Sequence, residues 1–176
     1  MNGRLETAAL VLSSAALIAL CGCEGQTDSE RQAVAAIRRS GGQVDIHEGK
    51  VVRVRLGGPR TTNATLVPLK DLTRIERLDL DHSQVTDDGL VHVEGLTRLK
   101  RLHLSVTRIT DAGLVHLAGL TSLELLDLSR TRVTDAGMVH LAGLTNLKVV
   151  DLSGTKITDD GVNALMRTRP NLGVQL

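Results

Sequence analysis

The chain has 176 residues, the length of a single domain, and its formal net charge of +1 gives no global electrostatic reason to expect nucleic acid as a partner. It contains no Phe, Tyr or Trp, so its core must be packed from aliphatic residues, and the side chains that usually stack on bases or line small-molecule pockets are missing. Both cysteines, Cys21 and Cys23, lie near the N-terminus, which leaves the rest of the chain without a thiol nucleophile or a thiolate metal ligand.

The first segment has the features of an export signal. Residues 8–20 form a run of apolar and small residues that is too short to span a bilayer comfortably. The sequence L-C-G-C at residues 20–23 resembles the lipobox of bacterial lipoproteins, and this resemblance implies cleavage before Cys23 and lipidation of its thiol. Residues 1–22 are therefore predicted to be a lipoprotein signal peptide and residues 23–28 a lipidated tether. An ordinary signal peptide or an uncleaved anchor is the alternative.

Residues 29–47 are predicted to form an N-terminal cap with one helix and one strand. Ser29 and Gln32 resemble a capping box at the start of the helix, and a Gly pair at 41–42 is expected to end it. Residues 44–46 alternate as a short strand. A cover for the open end of the core is favoured over a separate functional segment. The apolar face of the helix comprises Ala33, Val34, Ala36 and Ile37.

Residues 48–176 repeat with a period of 24. The pattern L-x-x-L-x-L-x-x-(S/T)-x-(I/V)-T-D-x-G occurs four times, a degenerate copy precedes these, and a closing strand follows, which makes five units plus that strand. The pattern resembles the leucine-rich-repeat family, in its bacterial variant rich in T-D-A-G-L units. This resemblance implies an α/β fold, a right-handed solenoid with a parallel concave sheet and short convex helices. The four regular copies begin at Leu72, Leu96, Leu120 and Leu144.

The periodicity within a repeat agrees with that fold. Residues 77–81 alternate, so Leu78 and Leu80 are predicted to face the core as a strand does. Thr86 is predicted to cap a short helix, with Asp87 in its first turn near the positive helix end. A strand and a short helix cannot bury their apolar faces alone, so neighbouring units must stack.

Two repeated features depart from simple packing. A hydroxyl residue stands where many family members carry a buried Asn, and because a hydroxyl makes fewer hydrogen bonds than an amide, we expect looser turns there. A glycine also recurs near each helix start without any phosphate-loop motif beside it, and it is interpreted as a small residue needed for close packing of the coils. The hydroxyl residues are Ser83, Thr107, Thr131 and Thr155, and the glycines are Gly89, Gly113, Gly137 and Gly161.

Polar residues between the inward leucines supply groups that catalysis or metal binding could use. Ser105 and Ser129 lie beside this row, but an open, shallow sheet offers no evident oxyanion hole or exclusion of water. The repeated His92, His116 and His140 are expected to be about 10 Å apart on convex helices, too far to share an ion. No enzymatic activity, cofactor or metal is therefore predicted; a hydrolase or metal-binding protein that uses the Asp/His row is the remaining alternative. In strand order the row is Arg55, Asp79, His103, Asp127 and Asp151.

The outermost column of the concave face is predicted to form the binding surface. It begins with arginines and continues with apolar residues, which polarises the face along the solenoid. The predicted function is that of a monomeric, envelope-anchored binding module, facing the periplasm or the exterior, whose partner is a protein or an anionic envelope polymer. The alternatives are arginine stems that merely cover the sheet and a structural envelope component without a specific ligand. The column comprises Arg53, Arg77, Arg101, Leu125 and Val149.

Overall fold

The computed structural model describes residues 26–176. The predicted signal peptide and the first half of the predicted tether, including Cys23, lie outside these described residues. Within the described part of the chain, no helix combines the length and the apolar character that crossing a bilayer would require.

Helix α1 (Asp28–Arg39) packs against the core at its N-terminal end. It begins earlier than expected, because Thr27 and Glu30 form the capping box: the Glu30 N–H donates to Thr27 Oγ1 at 3.2 Å, and the Thr27 N–H donates to Glu30 Oε2 at 2.8 Å. The capping box predicted at Ser29 and Gln32 is therefore wrong, and Asp28 belongs to the helix rather than to the tether. The helix buries Ala33, Val34 and Ile37.

A hairpin of strands β1 (Gln43–His47) and β2 (Lys50–Arg55) joins the cap to the first repeat. Its two-residue turn places Glu48 and Gly49 at φ angles of 48° and 72°, the left-handed region that tight hairpins require. The two strands are antiparallel, and Asp45 pairs with Arg53 in their register. This register brings a carboxylate of the cap onto the face of the first repeat.

The seven strands within residues 26–176 form one sheet in chain order. From β2 onwards every pairing is parallel, and equivalent residues of successive repeats are aligned. The predicted α/β solenoid of stacked strand-helix units is confirmed, with one antiparallel strand added at its N-terminal edge. The further strands are β3 (Arg77–Asp79), β4 (Arg101–His103), β5 (Leu125–Asp127), β6 (Val149–Asp151) and β7 (Gly173–Gln175).

Short helices lie on the other side of each unit. The inward residues of the strands are fully buried, for example Leu78, Leu80, Leu102 and Leu104 at 0% exposure, which confirms the predicted alternation. The α-helices are α2 (Asn63–Leu66), α3 (Asp87–Leu90), α4 (Asp111–Leu114), α5 (Met138–Leu141) and α6 (Asp159–Thr168); single turns of 3₁₀-helix span Val67–Asp71, Val115–Leu117 and Asp135–Gly137.

Hydrogen bonds between successive T-D sequences join the repeats at the helix starts. Thr110 donates its backbone N–H to Asp87 Oδ1 at 2.8 Å and its hydroxyl to Asp87 Oδ2 at 2.6 Å. We call this pair of bonds the Thr–Asp clamp. It recurs with the same two distances from Thr134 to Asp111 and from Thr158 to Asp135. Each aspartate was predicted only to lie in the first turn of its own helix. In the structure it also accepts hydrogen bonds from the threonine of the next repeat.

The clamp explains the repeated glycine, and Asn63 provides a variant of the clamp in the first unit. A Cβ atom on Gly113 would lie 2.4 Å from Asp87 Oδ1, so the glycine leaves room for the clamping carboxylate, in agreement with the predicted packing role. In the first unit Asn63 replaces the aspartate: its Oδ1 accepts the Thr86 N–H at 2.9 Å and its Nδ2 donates to Thr86 Oγ1 at 2.7 Å. Thr86 stands at the predicted N-cap position, but its side chain makes no capping bond to its own helix.

The turns after the strands differ in how their buried hydroxyls are satisfied. Thr107, Thr131 and Thr155 donate to the carbonyl oxygen three residues earlier, at 2.6–2.7 Å. The hydroxyl of Ser83 is buried without a hydrogen-bond partner among the described residues. Among these four hydroxyls, only that of Ser83, in the turn after β3, lacks the hydrogen bond that the others make within the described residues.

Candidate functional site on the sheet

The structure aligns the residues of the predicted binding face in two columns. The outer column is Arg53, Arg77, Arg101, Leu125 and Val149 on strands β2 to β6, and the inner column is Arg55, Asp79, His103, Asp127 and Asp151. The geometry of both columns agrees with the sequence prediction, while their role in binding stays a prediction.

Arginines dominate the N-terminal end of this face. They surround a shallow cavity of about 180 Å³, together with Leu78, Asp79 and His103. We call this cavity the arginine pocket. Its arginines are Arg53, Arg55, Arg77 and Arg101.

Asp45 neutralises one end of the arginine pocket. Its Oδ2 lies 3.4 Å from Arg53 Nη1, and its Oδ1 lies 3.2 Å from Arg55 Nη2; Arg55 also donates from Nε to Gln43 Oε1 at 3.1 Å. Sequence reasoning missed Asp45 because it treated strand β1 as a cover for the core. The signal that could have found it is the two-residue turn, which sets the register of Asp45 against Arg53.

Arg77 and Arg101 lie next to each other in the arginine pocket. Both side chains are exposed, and they lie directly opposite each other on neighbouring parallel strands. None of the ion pairs among the described residues includes either of them. Like charges in such positions repel and slightly destabilise the sheet, so these two residues weaken the unliganded protein.

The opposite end of the face combines apolar and acidic residues. Leu125 and Val149 are only half-buried, and they adjoin each other on β5 and β6. Asp127 and Asp151 flank them, each accepting the backbone N–H and the hydroxyl of the serine two residues further on, at 2.5–2.9 Å. The face is therefore polarised from basic to apolar and acidic, as the sequence predicted.

An acidic cluster with one histidine lies between these ends. Asp81, His103 and Asp127 each offer a ligand atom, and these atoms lie within 4.8 Å of one another. The sequence analysis considered Asp79 with His103 and Asp127; in the structure Asp81 takes that place, while Asp79 Oδ1 accepts the Asp81 N–H at 3.1 Å. Asp81 was missed because it follows the strand, two residues beyond Asp79 and on the same side.

The cluster is electrostatically strained. Burial raises the pKa of Asp81 above its ordinary value; the Ser105 amide bond and His103 oppose this increase, and the carboxylates of Asp79 and Asp127 add to it. His103 Nδ1 lies 3.8 Å from Asp127 Oδ2, so a protonated imidazole would compensate for part of the negative charge.

The serines of this region are not arranged as nucleophiles. The hydroxyls of Ser105 and Ser129 lie 2.9 Å apart, and Ser129 Oγ lies 2.7 Å from Asp127 Oδ1. No hydrogen bond within residues 26–176 joins either hydroxyl to His103, so the described residues do not form a hydroxyl-imidazole pair of the catalytic type.

The repeated histidines of the helix side stand apart from this cluster. His92, His116 and His140 belong to no group of three metal-ligating residues in the described chain. His116 Nδ1 lies 3.5 Å from Glu94 Oε2, which gives this histidine a local partner.

Comparisons with known proteins agree with the fold. Models of leucine-rich repeats match residues 73–133 and 143–166. No curated protein matches the chain. Among solved structures, an internalin from Listeria monocytogenes has 22% identity and a TM-score of 0.43 over 62% of this chain and 36% of its own. The complex PEPR1-AtPEP1 has 16% identity and a TM-score of 0.48 over 76% of this chain and 19% of its own.

The family matches, the 24-residue period and the stacked parallel strands together support a leucine-rich-repeat protein. The chain spans well under two thirds of either solved structure. The two family matches support a protein-interaction module.

Proposed function

We propose that this protein is a membrane-anchored interaction module of the cell envelope that captures an acidic protein segment on its sheet face. The observation that carries the proposal is the pair Arg77 and Arg101, exposed and adjacent on β3 and β4 and in no ion pair among the described residues. Guanidinium groups bind carboxylates in a bidentate manner, and two of them at strand spacing match an extended acidic segment.

The rest of the face supports a directional ligand. Leu125 and Val149 continue the column of Arg77 and Arg101, so a segment lying across the strands would meet cationic groups first and an apolar patch afterwards. The absence of aromatic residues makes polar and shape contacts the main source of affinity. Asp127, next to the patch, would repel an acidic group there, which favours one orientation.

Replacing Arg77 and Arg101 by Gln tests the proposal. The probe is a fluorescent peptide rich in Glu with one apolar residue, and its affinity is measured by anisotropy at several salt concentrations. Losing two charge-assisted contacts should weaken binding by a factor on the order of ten or more and flatten its salt dependence.

The matched control replaces Arg74 and Arg98 by Gln, because these exposed arginines also lie one repeat apart but outside the two columns. Equal weakening by both double variants would mean that only net charge matters. Unchanged binding in the Arg77 and Arg101 variant would exclude this face. A preference for a non-protein polyanion, such as polyphosphate, over the peptide would indicate an envelope polymer as the ligand.

The proposed anchor depends on the lipobox-like sequence at residues 20–23. Stable attachment to a membrane takes more than one acyl chain, and the lipoprotein modification implied by the resemblance supplies several. Cys23→Ala should move the protein out of the detergent phase in phase-partitioning experiments, whereas Cys21→Ala should not. Equal retention of both variants would contradict lipidation at Cys23.

A further inference from the structure

Three metal-ligating side chains converge at the carboxyl ends of neighbouring strands. His103 and Asp127 are the last residues of β4 and β5 and are paired in register, and Asp81 follows the end of β3. Their ligand atoms lie within 4.8 Å of one another, and His103 Nδ1 lies 3.8 Å from Asp127 Oδ2. Ligands about 2.1 Å from a tetrahedral ion lie about 3.4 Å apart, so small side-chain rotations would close this geometry.

Backbone and serine groups already orient the carboxylates. Asp81 Oδ1 accepts the Ser105 N–H at 2.7 Å, and Asp127 Oδ1 accepts the Ser129 N–H at 2.9 Å and its hydroxyl at 2.7 Å. In each aspartate one oxygen is held by these donors and the other remains available for a ligand. Such outer hydrogen bonds orient the ligands in established metal sites.

The charge around His103 is the second reason to expect a cation. Asp79 and Asp127 pair with His103 from the two neighbouring strands, and Asp81 approaches from beyond β3. Three carboxylates therefore lie around His103, and a divalent ion bound by all three ligands would neutralise two of them. All three ligands are half-buried, which leaves room for a water molecule or a ligand carboxylate in a further coordination position.

We infer that Asp81, His103 and Asp127 form a binding site for a divalent transition-metal ion, for which Zn²⁺ is the best-matched candidate. One imidazole and two carboxylates suit Zn²⁺ better than Mg²⁺ or Ca²⁺, which prefer ligand sets made entirely of oxygen. The site shares no residue with the pair Arg77 and Arg101, although His103 also lines the arginine pocket, so the inference does not depend on the proposed function.

The test is calorimetric titration of the full chain with zinc chloride, in a background carrying Cys21→Ser and Cys23→Ser to remove the thiols. One equivalent of Zn²⁺ should bind, and excess Mg²⁺ should not compete. His103→Ala and Asp81→Asn should each weaken this binding by a factor on the order of ten or more. Asn at position 81 retains an oxygen that can accept the Ser105 N–H, so this variant keeps the local fold.

The matched controls are Asp79→Asn, next to the cluster, and His116→Ala, a half-buried histidine beside a carboxylate on the helix side. Both should bind Zn²⁺ as the parent does, and Zn²⁺ should raise the Tm of the parent and of these controls alone. Undiminished binding in His103→Ala or in Asp81→Asn, or loss of binding in His116→Ala, would overturn the assignment. The Arg77→Gln, Arg101→Gln double variant should retain Zn²⁺ binding, which separates this inference from the proposed function.

Discussion

The helix side and the sheet face of this solenoid follow different rules. At the helix starts the same Thr–Asp clamp, with the same two distances, joins three successive pairs of repeats, and Asn63 supplies an equivalent in the first. On the sheet face the residue at one column position changes from Arg101 to Leu125 to Val149 while the strand register is kept.

This contrast separates structural residues from candidate functional ones inside a single chain. A residue copied in every repeat satisfies a need that every repeat shares, such as packing or the clamp. A residue that changes between repeats at an exposed position is not needed for stacking, and its identity is open to selection by a ligand. The arginine pocket and the cluster around His103 both belong to the second group.

The largest expected effect comes from neighbouring residues on opposite sides of the sheet. Leu104→Asp buries an unpaired carboxylate in the central repeat, where Leu104 is fully buried, and should destabilise the protein by about 4 kcal/mol or more. His103→Ser should change the free energy of unfolding by less than about 0.5 kcal/mol. Urea denaturation measures both. Similar losses for the two variants would abolish the distinction between the sides.

The clamp can be broken without touching the core. Asp111→Ala leaves the backbone N–H and the hydroxyl of Thr134 without their acceptor and should cost about 2 kcal/mol, as measured by urea denaturation. Asp111→Asn should recover most of this loss, because Asn63 performs the same task in the first unit. Asp88→Ala, at an exposed position, is the control and should change stability little. A loss of the same size at Asp88 would point to helix-dipole effects rather than to the clamp.

A smaller effect is expected at the turn between the two sides. His82, Val106, Arg130 and Gly154 occupy the same position in successive repeats with φ angles of 54–67°, a region that a β-branched residue adopts only with strain. Val106→Gly should therefore stabilise the protein by about 0.5 kcal/mol in thermal denaturation, and Gly154→Val should destabilise it. Destabilisation by Val106→Gly would mean that the contacts of this half-buried side chain outweigh the strain.

The smallest effect is expected on the sheet face, at Asp81. Because the pKa of Asp81 is raised in the folded state, its ionisation disfavours folding, and this penalty appears as pH rises through and above 3.8. Asp81→Asn should stabilise the metal-free protein slightly at pH 7, and the gain should disappear below pH 3.8. Urea denaturation at both pH values in a chelator is the measurement. A gain independent of pH would exclude ionisation as its cause.

The sequence was sufficient to predict the features that the pattern of a single repeat determines. Alternation identified Leu78 and Leu80 as core residues, and the 24-residue period identified which residues form columns on the sheet. The clamp was missed because Thr86 and Asp87 also fit a local helix start, and their partners are 23 residues away. Asp45 was missed because its position depends on the register of a hairpin. Alternation places Asp79 and Asp81 on the same side, but it does not specify which of the two carboxylates lies close to both His103 and Asp127.

The Thr–Asp clamp also affects how easily such a protein can gain repeats by gene duplication. Every internal unit presents an aspartate to the unit after it and a threonine to the unit before it, so its two ends match any neighbour of the same kind. A duplicated stretch of DNA encoding 24 residues would insert as a ready-made unit with both connections satisfied, and would widen the sheet by about 4.8 Å. The exposed residues of the new strand could then diverge by mutation without affecting its attachment, so the ligand surface can be extended one strand at a time.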